Sequence, residues 1–505
     1  MRRGMTSVLT AVLSVVVLVL TATPSTAAAA PTPGAPGIGD AYFPTYGNGG
    51  YDAEHYAISI GYDPTTGVLA GTTVVTATAT QDLSRFDLDF ALTASAVSVN
   101  GAPARTSASG TELVVTPSHP LSRGERMTVT VTYGGKPADT RPNSFSPWLR
   151  TPTGAVLVGE PEASAWWFPG NDHPRDKATY DVTVTVPAGL QAISNGRGGV
   201  TRTDSVSSTW RWQESRPMAT YLAFVAIGRY GITRGRTRSG IPYLNAVASG
   251  LGTRRAPARA AMARTAEIVD WEARTFGPYP FDTVGGVVPD ADFGFALETQ
   301  TRPVYSPVFF AGSQSAEVVV HELAHQWFGD SVSVHGWRDI WLNEGFATAA
   351  EWLYREHVGK ATAPESLVAA YRQYPADDPL WRVTIGDPGQ SDLFSAAVYD
   401  RGAMTLIALR NRVGGTAFLR LLREWAARHR YGNATVEEFV ALAEHICGQD
   451  LRRFFRTWLS TPSKPAATPA NGLPPNAAET GATRPSRVVG PAPLHPVQHG
   501  QWQRR

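Results

Sequence analysis

His321, Glu322 and His325 stand in the pattern H-E-x-x-H, and Glu344 follows eighteen intervening residues after His325. On a helix, residues four apart share a face one turn apart, so the two imidazoles can reach one metal ion. Imidazole nitrogens and a carboxylate oxygen suit zinc. A His, His, Glu set leaves the fourth tetrahedral position open, as a catalytic rather than a structural site requires. Glu322 lies between the histidines, close enough to act on a zinc-bound water rather than on the metal. The competing reading is an exposed helical turn with chance histidines. The flanking residues 316–320 and 326–329 argue against it, because they make the motif part of an apolar helix. Polar groups buried there need partners. A second apolar block, residues 341–347, carries Glu344 in the same way.

The elements that must position these residues are legible in outline. Residues 55–60, 73–80, 127–133 and 180–186 alternate polar and apolar, punctuated by turn pairs such as Asp63-Pro64 and Asn100-Gly101. Spaced strands of this kind predict an antiparallel, sandwich-like β domain over residues 51–235. The rhythm changes near Arg254. Residues 256–276 read as a helix stopped by Gly277-Pro278, and 283–288 as a strand. The two metal-motif helices follow, then helices over 364–374, 396–413, 417–428 and 436–445, and final turns over 450–459. The fold class is therefore multidomain α+β, with a mostly helical catalytic domain over 236–460.

Pro and Gly mark residues 31–50 as a flexible leader. Residues 461–505 are rich in Pro, Ala, Thr and Asn, with too few large apolar groups to offset ordering, and read as a disordered tail. The start reads as a secretory signal over residues 1–30: Arg2 and Arg3, an apolar run over 8–20, then small residues at 26–30. The apolar run is short for a membrane anchor, and no other segment is long enough to span. The protein is thus expected outside the cell, with no membrane span once the signal is removed. The chain carries 45 basic and 43 acidic residues. Without Arg2 and Arg3 the numbers are equal, which gives no footprint for nucleic acid. Cys447 is the only cysteine, so neither an intrachain disulfide nor a cysteine-type zinc site can form. It reads as a small apolar residue near a helix end.

Residues 51–459 resemble the M1 family of zinc aminopeptidases, a gluzincin family. The resemblance rests on H-E-x-x-H-x18-E at 321–344, on W-L-N-E-G-F-A at 341–347, and on Tyr399-Asp400-Arg401-Gly402, which matches Y-x-[KR]-G. An altered G-x-M-E-N loop stands as Gly294-Phe295-Ala296-Leu297-Glu298-Thr299, and the run 167–174 is also familiar. The resemblance implies a thermolysin-like catalytic domain and one zinc ion per chain, held by His321, His325 and Glu344. It implies Glu322 as general base and Tyr399 as donor to the oxyanion, where the bland alternative is a packed core tyrosine. It further implies that Glu298 binds the substrate α-amine, with Gly294 and Ala296 contacting substrate through the backbone.

A second amine-binding acid comes from Glu160 or Glu162, with Glu162 favoured. Phe295 stands where glycine or a small residue is common, and Thr299 replaces asparagine, which puts the shape of the first side-chain pocket in question. Since the fold is expected to stop near Leu459, the likeness is to short, secreted bacterial-type members. The substrates implied are peptide or protein N-termini. An endopeptidase on the same domain is the runner-up, disfavoured by Glu298. A scaffold with a retired site is disfavoured because every chemical residue is present, and nothing specific supports epoxide hydrolysis. His173 reads as structural, His335 as a loop or strand residue with at most a supporting role, and Asp330, in place of a common asparagine, as a helix-end residue.

Overall fold

The computed structural model describes residues 30–142, 146–311 and 315–478. Of the secretory signal expected over 1–30 and the tail expected over 461–505, residues 1–29 and 479–505 lie outside the described residues.

Period-two burial builds the first domain. Strands β1 (Tyr51–Asp63), β2 (Val68–Ala79), β3 (Thr93–Val99), β4 (Ala102–Pro103), β5 (Arg126–Gly135), β6 (Lys177–Pro187), β7 (Arg197–Thr203) and β8 (Ser207–Ala219) form one eight-stranded sheet, in the order β7-β8-β6-β1-β2-β5-β3-β4. Along β1, Tyr56, Ile58, Ile60 and Tyr62 are buried while alternate residues are not. That alternation is what one covered sheet face demands. Neighbours are antiparallel except β6 and β1, which run parallel from Thr179 beside His55 to Thr185 beside Gly61. Two four-stranded sheets complete the domain. Aromatic contacts such as Tyr56 on Tyr180 (5.1 Å) and on Phe168 (5.3 Å) fill the core.

The second domain opens on a mixed five-stranded sheet. Its order is β9 (Tyr230–Arg236), β10 (Pro242–Ala248), β11 (Val284–Val288), β13 (Val304–Tyr305) and β12 (Ala296–Leu297). Residues 230–235, counted with the β domain in the sequence, therefore pair with the catalytic sheet, because β9 finds its antiparallel partner in β10. The helical rhythm over 256–276 resolves into α1 (Arg255–Met262) and α2 (Thr265–Phe276). The break falls where Asn245 Nδ2 and Thr265 Oγ1 both donate to the Met262 carbonyl at 2.7 Å. Helices α3 (Ser315–Ala324), α4 (Trp341–His357), α5 (Ala363–Gln373), α6 (Gly402–Val413), α7 (Gly415–Arg428) and α8 (Val436–Cys447) follow. Cys447 ends α8 half-buried, as its place in the sequence suggested.

Two segments depart from expectation. The leader is packed, not flexible. Asp40 accepts from the backbone N–H of Trp337 (2.9 Å) and pairs with His173 Nε2 (3.1 Å), which gives His173 its structural role. Asn48 Nδ2 donates to Asp89 (3.1 Å) and Glu112 (3.3 Å), and Phe43 packs edge-on against Trp337. Composition missed this because a few buried polar anchors, not apolar mass, hold the segment. The expected tail is also ordered from 461 to 478. Leu473 is buried, Trp458 Nε1 donates to the Asn471 carbonyl, and Arg372 donates to those of Asn476 and Ala477. Lys464 Nζ lies 3.9 Å from the centre of the Tyr371 ring. Side-chain donors from α5 and its neighbours satisfy a Pro-rich backbone that has little apolar surface of its own.

The leader also joins an acidic cluster in the β domain. Burial pushes Glu112 up to about 7; the Asn48 hydrogen bond opposes this, and the charges of Asp87 and Asp172 add to it. A raised carboxyl contributes stability that is full below the ordinary glutamate range and is lost as pH rises through the folded value. Thermal stability is therefore expected to fall between pH 5 and pH 8, and Glu112→Gln to flatten that fall. Melting scans at the two pH values check this; an unchanged slope in the variant would remove Glu112 from the account.

Candidate active site

Helix α3 carries three β-branched residues in a row, Val318, Val319 and Val320, which have little intrinsic helical preference. All three are buried, with Leu323 and Ala324, so tertiary burial holds the helix and points His321 and His325 inward. After α3 the chain turns through Gly329 at φ 137°, where a Cβ would come within 3.2 Å of His325 Nδ1. On α4, Glu344 faces the same point. Gly345 meets Gly402 there, and a Cβ on Gly345 would lie 2.9 Å from the Gly402 Cα. The glycines of two separate motifs thus let α4 approach the start of α6. The π-helical turn Ala397–Arg401, just before α6, carries Tyr399 into the same space.

The ligand geometry is specific. His321 Nε2 lies 3.3 Å and His325 Nε2 3.4 Å from Glu344 Oε2. Tetrahedral zinc with ligand bonds of about 2.0–2.1 Å requires ligand atoms about 3.3–3.4 Å apart. The other imidazole nitrogens are engaged: His321 Nδ1 with Glu351 Oε1 (2.8 Å) and His325 Nδ1 with the Phe328 carbonyl (3.0 Å). With the Nδ1 protons so used, both Nε2 lone pairs face a carboxylate, an arrangement that calls for a cation. The electrostatics agree. Burial lowers His325, but the charges of Glu344 and Glu298 outweigh it and push it up to about 9. Burial raises Glu344, but the His325 charge and hydrogen bonds from both imidazoles hold it well below the carboxylate range. The residues fit zinc.

Around this centre lies a cleft lined by the ligands, Glu322, Tyr399, Glu298, Glu160, residues 295–297 and Phe394. Burial pushes Glu322 up to about 8 against the opposing charges of His321 and His325. The Tyr399 ring stacks near His321, 6.1 Å between centres. Carboxylate oxygens of Glu160, Glu298 and Glu344 lie within 4.8 Å of one another. Ala296 lines the cavity in β12. Gly294, at φ 82° just before it, is outside the lining.

Glu162, the favoured second acid, does not reach the cavity. The chain bends at Glu160-Pro161, so residues two apart do not point the same way. Glu162 turns to a hydrogen bond with Tyr46 of the leader, and Glu160 takes its place at the site. His335 is exposed and uses its backbone, donating to the Ala434 carbonyl. Asp330 follows the α3 turn and is fully buried; its backbone N–H donates to the His325 carbonyl. Glu351 and Phe394 were missed. Glu351 had a signal, since it lies seven residues after Glu344 on the same face of α4. Phe394, in a loop, had none.

The site is that of a zinc metallopeptidase. Residues 261–458 match the peptidase family M1 domain and residues 52–222 the peptidase M1 N-terminal domain. The chain belongs to peptidase family M1. It is similar to the M1 zinc metallopeptidase of Deinococcus radiodurans, with TM-score 0.76 and 28% identity over 85% of this chain and 99% of that one. A mutant of that protein bound to a Tyr-Ser-Ala substrate superposes with TM-score 0.75, 28% identity and coverage of 85% and 99%. Aminopeptidase M1 of Arabidopsis thaliana is 27% identical over 62% of this chain and 37% of its own length. Glutamyl aminopeptidase of Mus musculus is 28% identical over 62% and 35%. The chain spans about a third of the length of these curated relatives.

Proposed function

We propose that this chain is a secreted zinc aminopeptidase of the short bacterial type that releases N-terminal residues from peptides. The observation that carries the reading is the convergence of Glu160 and Glu298 on the carboxylate of Glu344. Buried carboxylates beside a metal centre suit the α-ammonium of a peptide, and fixing it there presents the first peptide bond to the ligand set. An internal peptide would leave these acids buried and unpaired.

Bound zinc supplies Lewis acidity toward the scissile carbonyl and toward the attacking water. Glu322 takes the proton of that water and passes it to the leaving amine. The Tyr399 hydroxyl donates to the oxygen of the tetrahedral carbon. Glu298 and Glu160 hold the substrate amine. Secretion is supported by the Arg2-Arg3 start and the apolar run that follows it. Among the described residues no helix is long and apolar enough to cross a membrane.

The test is hydrolysis of a panel of aminoacyl fluorogenic amides, with and without a chelator, beside Glu298→Ala. Release from free-amine substrates should stop with the chelator and return with zinc. Glu298→Ala should lower kcat/KM on them by about 10–100-fold, the loss of a charge-assisted contact. Turnover of amino-blocked peptides that ignores Glu298 would replace this reading with an endopeptidase.

A further inference from the structure

The loop that carries Glu298 is gripped from both domains. The Glu298 backbone carbonyl accepts at 2.9 Å from Nε2 of Gln326, which follows His325 in the turn after α3. The Gln326 Oε1 in turn accepts from the Thr301 N–H at 2.7 Å. Thr301 sits at φ 68°, a left-handed conformation that a β-branched residue rarely adopts, so the loop is held in a shape it would not choose. The grip from the β domain has several points. Asn195 Nδ2 donates to the Gln300 carbonyl (2.8 Å), and the Gly196 N–H donates to Thr301 Oγ1 (2.8 Å). The Arg302 guanidinium is fully buried, donates to the carbonyls of Ser194 and Gly196, and lies over the Trp212 ring.

One contact from the β domain reaches the carboxylate itself. Tyr221 is 1% exposed, and its hydroxyl donates to Glu298 Oε1 at 3.2 Å. Its ring packs edge-on against Trp337, 5.4 Å between centres, and the Trp337 backbone is tied to Asp40 of the leader. The hydroxyl therefore cannot drift without disturbing a packed wall.

We infer that Tyr221 is a positioning residue for amine recognition, aiming the Glu298 carboxylate from the β domain while Gln326 fixes its backbone from the metal helix. The inference rests on the aminopeptidase reading, in which Glu298 meets the substrate amine. A carboxylate with free rotamers would meet an ammonium group as well as a fixed one in water, but it would not hold the first peptide bond in one register. Tyr221 removes that freedom through a charge-assisted hydrogen bond in a buried site. The role differs from structural packing because it acts only through Glu298.

The experiment is a double-mutant cycle on the zinc-loaded chain with Tyr221→Phe, Glu298→Ala and the pair, using leucyl amide and its N-acetyl counterpart. Tyr221→Phe keeps the ring and removes only the hydroxyl; zinc content and melting temperature monitor folding. KM for the free-amine substrate is expected to rise by about tenfold more than kcat falls, the effect of losing one hydrogen bond to a charged group. The preference for free over acetylated substrate should shrink with it. In the Glu298→Ala background the same change should have no further effect. Additive losses, or a fall in kcat with KM unchanged, would overturn the positioning role while leaving the aminopeptidase reading standing. Should Glu298→Ala itself leave the free-amine preference intact, both fall.

Discussion

Glu322→Gln is expected to lower kcat by about 10²–10⁴-fold, the range for loss of a general base, while zinc stays at one ion per chain. Glu322 is buried and lines the cavity beside the ligands. Yet the atoms at tetrahedral spacing belong to His321, His325 and Glu344, not to it. The amide keeps the size and polarity of the side chain but cannot accept the proton of an attacking water. Glu344→Gln makes the contrast. It weakens the one anionic ligand, so metal content itself should fall. Metal analysis and kcat measured on the same preparations separate the two roles. A Glu322→Gln chain that has lost its zinc would mean the carboxylate serves the metal, and the division of labour between the four residues would have to be redrawn.

The metal centre was legible because helix geometry is short-range. The last turn of α3, which the His325 N–H closes on the His321 carbonyl, fixes the spacing of the two histidines whatever the rest of the chain does. Helices α5, α7 and α8 fell close to their expected bounds for the same reason, while the helix expected from 396 opens as a π-helical turn before α6. Tyr399 and Glu298 were found through family motifs, and the structure brings both into the cavity. Glu160 lines the cavity and Glu162 does not, because both stand in a bend, where alternation along the sequence does not predict direction. The leader and residues 461–478 were misread because composition counts apolar surface. What orders them is a set of hydrogen bonds to partners far away in sequence: Asp40 to Trp337, Asn48 to Asp89, and Arg372 to Asn476. Tyr221 could not have been found at all. Nothing near it in the sequence marks it, and its partner Glu298 is 77 residues away.

Arg401→Leu is expected to destabilise the fold by about 3–5 kcal/mol, the upper range for a single substitution that leaves buried polar groups without partners. Arg401 is fully buried, and its guanidinium donates at five points to backbone carbonyls. Those of Trp381 (2.9 Å) and Val383 (2.8 Å) lie in one turn, and those of Thr457 (3.3 Å), Trp458 (2.8 Å) and Thr461 (2.6 Å) in and just after the π-helical turn Arg456–Ser460. Burial lowers Arg401 to about 10, still above physiological pH, so it stays charged. Leucine would fill much of the volume but take a donor from five carbonyls; those that water or a neighbouring N–H can reach recover part of the loss, and the rest stay unpaired. Lysine would keep the charge, but its three donors on one nitrogen cannot span two loops, so Arg401→Lys should recover only part of the loss. Urea unfolding of the three chains gives the order directly. Because Arg401 is two residues from Tyr399 in the same π-helical turn, kcat should fall in both variants even at temperatures where they remain folded. Stability within 1 kcal/mol of the parent in Arg401→Leu would show that the carbonyls find other partners. The arginine of the Y-x-R-G motif would then be explained by the tyrosine's chemistry rather than by the fold.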